Sequence, residues 1–246
     1  MPIETSTFIF ICIFSGGLLG MWLRGLLPEH HLGAENKSLL QLSVGLVGTM
    51  AALLLGLLVA SAKASYDTRS SELTQMAADA ILLDRALAHF GPATDQARRT
   101  LKMTIAQAID QIWSTDEGAI LRPGGGEVVF DEIRELVPHS DSQRMLQAQA
   151  ESTLISYGQA RLLLSAQSGN SVSLPFLVVV VFWLTALFVS FGLFAPHNTT
   201  AVVTLFVAAI SVAGALFLIL ELDQPFSGIV KISSAPMRSA LALIGK

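Results

Sequence analysis

The sequence predicts an all-α membrane protein with four transmembrane helices in two hairpins and a helical cytoplasmic region between spans 2 and 3. Three observations predict it. No Asp, Glu, Lys or Arg occurs in the 19 residues between Glu4 and Arg24, the 25 between Lys37 and Lys63, or the 59 between Arg161 and Glu221. A helix needs about 20 apolar residues to cross a lipid core, where no water is available to satisfy a free backbone N–H or C=O. Second, almost all the charge lies between residues 63 and 161. Third, that charged block carries apolar residues at helical spacing.

The first span runs from about Thr5 to Leu26. The first basic residue, Arg24, follows the apolar stretch, so the segment lacks the basic start of a secretory signal and reads as a retained span. Its cysteine, Cys12, is the only one in the chain, which excludes an intrachain disulfide and a thiolate metal cluster. Pro28 and Gly33 break helical continuity in the loop that follows. His30 and His31 stand there side by side. Adjacent helical residues point about 100° apart, and no acid or third His lies at ligand spacing.

The second span runs from Leu39 to Ala62. The sequel to Phe90 contains no Gly or Pro, so the same helix is expected to leave the membrane as one long rod. The 59-residue stretch is about three times what one span needs. Its first part ends in the loop-like 168–171 segment. Leu174-Pro175 then opens a third span, with Pro in the first turn where its missing N–H costs nothing. Ala195-Pro196-His197-Asn198 is a turn, and the last span covers about Thr199 to Leu220.

In the middle block, Leu73, Met76, Ala80, Leu83, Leu87 and Phe90 follow the 3.6-residue period, as do Ala97, Leu101, Ile105, Ala108 and Ile112. Gly91-Pro92 separates the two runs. Ser140 and Gln143 form a capping box opening a helix to about Ala166. Val128-Val129-Phe130 hints at a strand too short to carry a sheet. The domain boundaries expected are a first hairpin at 1–62, a helical region at 63–173, a second hairpin at 174–222 and a tail at 223–246. In the tail, Ser234 can cap a short helix with Pro236 in its first turn. Met237, Leu241 and Ile244 form its apolar face, to lie on the membrane surface or against the helical block.

Four spans put both termini and the middle block on one side. Lys63, Arg69, Arg161, Lys231 and Arg238 lie near membrane ends there, against Arg24 and Lys37 on the other. Positive residues favour the cytoplasm, so the block and termini are expected to be cytoplasmic. The 52% hydrophobic content and mean hydropathy of +0.59 exceed what a soluble domain of this length carries. A net charge of −4 argues against a nucleic-acid partner.

The sharpest candidate site is in span 2. Gly48, Ala52, Gly56 and Ala60 recur every four residues, with Gly45 one turn before and Ser43 and Thr49 as hydroxyls. Such a stripe either lets another helix approach closely or lines a pore between subunits. At the end of the last span, Glu221 and Asp223 sit where the helix dipole disfavours carboxylates. Either nearby positive groups offset them or they form a cation site. Leu83-Asp84-Arg85 and Arg98-Arg99 read as a solvated face, with an interhelix or intersubunit salt bridge as the alternative. The Pro123–Gly126 run lacks the Lys and Ser or Thr of a phosphate loop. No Ser/His/Asp or Cys/His grouping marks an enzyme, and no cofactor is expected.

Several stretches together carry a family likeness: Tyr66-Asp67 after a Gly-rich span, Asp84-Arg85 with Gly91-Pro92, Phe191-Gly192 with Pro196-His197-Asn198, and Glu221 to Gly228 (through Pro225 and Phe226) continuing to Pro236. This pattern resembles the bestrophin-like membrane proteins of bacteria, over residues 40 to 243. The resemblance implies kinship to pentameric ion channels with four spans per subunit, a cytoplasmic central region and the second span lining the pore. The aromatic neck of true bestrophins has no match in 45–60, nor does their acidic calcium-binding run in 221–226. The expected function is a homo-oligomeric inner-membrane channel for small inorganic ions, in contact with the lipid bilayer. The alternative is a membrane-anchored scaffold or stress sensor that binds a partner through its helical block. A small-molecule transporter is a third option, and these spans lack the ionisable or broken mid-membrane helices it calls for.

Overall fold

Four helices are long and apolar enough to cross a membrane in the computed structural model, which describes residues 2–26, 34–113, 126–166, 174–226 and 228–246. They are α1 (Pro2–Leu26), α2 (Ala34–Phe90), and, later in the chain, α6 (Leu174–Phe194) and α7 (Thr199–Leu222). Between and after them stand α3 (Asp95–Ile112), α4 (Gly126–Arg134), α5 (Asp141–Ala166) and α8 (Ala235–Leu243). The described residues contain no strand, so the chain is all-α. Val128, Val129 and Phe130 belong to α4. Their β-branched character is overridden because Val129 and Ile133, one helical turn apart, are both buried. His30, His31, Pro28, Gly33, residues 123–125 and 168–171, and Ser227 lie outside the described residues.

Local chemistry explains the helix ends. Glu4 is in the first turn of α1 and Arg24 in its last, each complementing the helix dipole. Helix α2 starts at Ala34, more than one turn before the apolar run, since a helix can extend through polar residues once clear of lipid. It ends at Gly91, whose φ of 121° suits a residue without Cβ. The buried Thr94 hydroxyl donates to the carbonyls of Leu87 and Gly91 at 2.6 and 2.8 Å, satisfying acceptors the helix end leaves open. Asn198 caps α7 by accepting from the Ala201 N–H at 2.8 Å.

At α5, Ser140 accepts from the Gln143 N–H as a capping box requires, but Gln143 accepts from the His139 N–H and donates to the Phe90 carbonyl. The cap thus also ties α5 to the end of α2. At α8, Ser234 makes no capping bond. Its backbone is helical there, and the neighbouring Ser233 hydroxyl accepts from the Ala235 N–H instead.

The chain divides into two compact units, one of Met1–Ser65 with Asn170–Gln224 and one of Tyr66–Gly169 with Pro225–Lys246. In the first, Ile13 of α1, Ala51, Leu58 and Ala62 of α2, Val180 and Leu184 of α6, and Ala209 and Leu216 of α7 share one core. Between apolar helices in lipid there is little hydrophobic drive, so close packing must hold them. It does so at α1 and α6. A Cβ at Gly20 would lie 2.0 Å from the Val189 carbonyl oxygen, and one at Gly192 would lie 2.0 Å from that of Gly17. Phe206 of α7 meets Phe10 and Phe14 of α1 edge-on, with centroids 5.6 and 5.5 Å apart.

The second unit buries Leu73, Met76, Leu83 and Leu87 of α2 against Leu101 and Ile105 of α3, Ile133 of α4, Leu154 of α5, and Met237 and Ile244 at the C-terminus. Each such side chain contributes roughly 1.5–3 kcal/mol when buried from water. Helix α8 therefore packs into the helical block.

Candidate functional site

The membrane part of α2 has two faces. Ala51, Leu58 and Ala62 point into the first unit's core with Val44, Val47, Leu54 and Leu55 packed at its edge. Outside that face stand the small residues: Ser43, Gly45, Thr49, Ala52, Gly56 and Ala60 are exposed and Gly48 is half-buried. A Cβ built at Gly45, Gly48 or Gly56 would meet nothing within 4 Å. Within one chain, then, the stripe holds no helix. The Thr49 hydroxyl returns to the Leu46 carbonyl at 2.8 Å, satisfied by its own helix. Gly45 and Gly48 border a cleft of about 550 Å³ whose far wall is Ser190, Phe191 and Phe194 of α6. At the end of α1, Arg24 donates to the Ala195 carbonyl and thereby fastens the turn before Pro196 and Asn198.

Glu221 and Asp223 are both buried, at 2% and 6% exposure, and both are engaged by neighbouring groups. Two carboxylates supply at most four of the six to eight oxygens that calcium takes, and no group of three His, Cys, Asp or Glu able to hold a metal occurs among the described residues.

Another family-motif segment is buried in the second unit. Asp84, expected on a solvated face, is 1% exposed. Its carboxylate accepts from Arg98 Nε at 2.8 Å and Nη2 at 3.2 Å, a two-point pair, and from the Gly245 N–H at 3.3 Å. Donating its hydrogen bond to Asp84 raises the Arg98 pKa above its ordinary value, against the opposing effect of burial. The solvated reading fails because α3 folds back beside α2 after Gly91-Pro92 and brings Arg98 to Asp84. Arg85, on the next position of the helix, remains exposed. Beside this pair, Lys102 donates to the Ile244 carbonyl at 3.0 Å, so α3 and Asp84 together clasp the end of α8.

The segment after span 4 docks on Trp113. Phe226 meets the indole edge-on at 6.1 Å, the Trp113 Nε1–H donates to the Ile232 carbonyl at 2.9 Å, and the Ile232 N–H donates to the Pro225 carbonyl at 2.7 Å. Gly228, with φ of 87°, makes the turn between them. Trp113 carried no signal in the sequence, being 113 residues from Phe226. Tyr66 packs at the edge of the second unit's core, and Asp67 is exposed but engaged.

The model of the bestrophin-like domain matches residues 11–237. The chain belongs to the bestrophin-like family. Comparison with curated proteins and with solved structures gives no match. With four membrane-long apolar helices, this family member is a multi-pass membrane protein, and the motif segments have structural work within it. Asp84, Gly91 and Pro92 build the α2–α3 corner, while Pro225, Phe226, Gly228 and Pro236 route the tail over Trp113 into α8.

Proposed function

We propose that this bestrophin-like protein is a homo-oligomeric, pentameric ion channel of the bacterial inner membrane, with α2 lining the axial pathway and the second unit and both termini in the cytoplasm. The observation that carries the reading is the open stripe on α2. The membrane part of α2 is the least enclosed of the four spans, with Leu42, Leu46, Leu53 and Leu57 exposed beside the small residues. Such a face calls for either lipid or copies of itself, and small residues leave room at an axis where several helices meet. The lining offers apolar surface and the hydroxyls of Ser43 and Thr49, which suits weak, multi-site passage of small ions over tight binding. No step of this reading passes through a metal at Glu221 and Asp223.

Purified protein in liposomes should pass Na⁺, K⁺ or Cl⁻, and Gly56→Leu should block or reshape that flux. The mass of the detergent-solubilised complex should correspond to five chains. A monomer, or liposomes that pass no ion, would end the channel reading and leave the anchored scaffold.

A further inference from the structure

The cleft between α2 and α6 lies inside the first unit, and both of its walls belong to membrane-spanning helices. What stands at its mouth is therefore lipid, not water. Its walls run from Gln41 to Gly48 on α2 and from Leu187 to Ala195 on α6. At a rise of about 1.5 Å per residue, these stretches make the cleft roughly 10–12 Å long in the direction of the helices. One leaflet of a bilayer holds about 15 Å of hydrocarbon, so the cleft has the depth and direction of a lipid tail.

The two ends of the cleft differ in chemistry. Towards the bilayer centre, Val44, Gly45, Gly48 and Leu187 give walls without charge, opened on the α2 side where the glycines bear no side chain. Ser190 adds little polarity partway along, because its hydroxyl donates to the Ala186 carbonyl of its own helix at 3.0 Å. Gln41 and Ala195 mark the end nearest the membrane surface, since α6 stops at Phe194. That end carries a positive charge. Arg24 donates to the carbonyl of Ala195, itself part of the cleft wall. The bond takes one of the five N–H donors of a guanidinium, a flat fork that matches the oxygens of a phosphate. Two residues earlier on α1, Trp22 is 63% exposed, a side chain of the type that settles at the level of lipid headgroups.

We infer that the α2–α6 cleft binds an anionic phospholipid, with an acyl chain along Gly45, Gly48 and Leu187 and the phosphate at Arg24. A zwitterionic lipid brings its own cation beside the phosphate, where Arg24 repels it. The inference goes beyond the channel reading. Its readout is lipid retention, so its failure and that of ion conduction are separate outcomes.

The test strips lipid from the full-length protein in detergent, adds back palmitoyl-oleoyl phosphatidylglycerol or phosphatidylcholine, and follows retained lipid by native mass spectrometry. Phosphatidylglycerol should be held roughly tenfold more strongly than phosphatidylcholine, the difference that a charge-assisted contact makes. Arg24→Gln should remove that preference, and Arg24→Lys, which keeps the charge, should restore most of it. Ser190→Leu and Gly48→Leu, which fill the cleft from opposite walls, should each reduce retention of both lipids. Four results would overturn the inference: no lipid retained, equal retention of the two lipids, an unchanged preference in Arg24→Gln, or unchanged retention in the filled variants. Retention by dissociated chains but not by the intact complex would give the cleft to a second copy and overturn it too. Should Arg24→Gln or Gly48→Leu fail to fold, the comparison of the two lipids and Ser190→Leu still decide.

Discussion

Helix α1 and the membrane part of α2 both carry small residues at four-residue spacing, yet they use them in opposite ways. On α1, Gly20 meets the α6 backbone so closely that an added methyl would overlap it, and one at Gly16 would crowd the Thr185 side chain at 2.9 Å. On α2, Gly48 and Gly56 face open space. A small-residue stripe therefore specifies that something can come close; what comes is set by the opposite surface. For α1 that surface is inside the chain. For α2 it is supplied by lipid or by another copy.

The largest expected effect tests the closed side. Gly20→Ala should cost about 3 kcal/mol or more, since the clash is with a carbonyl oxygen of a packed helix and no flexible side chain can yield. Gly192→Ala should cost the same, and the double variant less than the sum, because both open the same contact. A thermal midpoint in detergent near that of the wild type for Gly20→Ala would mean that α1 and α6 do not touch as described.

Asp84 asks whether a closed contact in the second unit is as demanding. Asp84→Ala removes the partner of a partly buried guanidinium and of the Gly245 N–H, for an expected loss of about 2–3 kcal/mol, reduced by the access Arg98 keeps to solvent. The loss should be local first. Hydrogen exchange at residues 235–246 should accelerate before the rest of the helical block, and uniform acceleration would deny the clasp.

Tyr157 stands between the two cases, buried yet without a partner for its hydroxyl among the described residues. Burial raises its pKa to about 12, above an unfolded value near 10. The stability gained by holding the phenol neutral is fully present below pH 10 and is lost as the pH climbs towards 12, by about 2 kcal/mol. Thermal midpoints of the wild type should therefore fall more steeply across that window than those of Tyr157→Phe. Parallel slopes would show the phenol to be solvated.

The spans were legible in the sequence because lipid imposes a single requirement, some 20 residues without charge, and that requirement is local. The turns at Gly91-Pro92 and Pro196-Asn198 were legible for the same reason. Pairings across the chain were not. Asp84 looked solvated because its partner Arg98 lies 14 residues on, past a helix break, and Trp113 gave no sign of receiving Phe226. The Gly16 and Gly20 pair was present in the first span all along. It shares the four-residue spacing of the longer run on α2, and spacing alone does not say which stripe meets a backbone. Val128 to Phe130 misled through residue type, since β-branched side chains suit a strand until burial at i and i+4 decides for a helix.

The smallest expected effect is the one that sharpens the contrast most. Gly56→Ala makes the same chemical change as Gly20→Ala, on a helix of the same unit, at a position where the new methyl meets nothing within 4 Å. Chain stability should move by no more than about 0.5 kcal/mol, because no overlap is created and alanine is at least as good a helix former as glycine. Measured on dissociated chains and on the intact complex, the same substitution separates two surroundings for the stripe. Unchanged midpoints in both mean that the face looks onto lipid or an open axis. A midpoint lowered only in the complex means that a neighbouring copy rests its backbone on Gly56, as α6 rests on Gly20. A loss in dissociated chains equal to that of Gly20→Ala would erase the difference between the two stripes and with it the case for an α2 face reserved for other molecules.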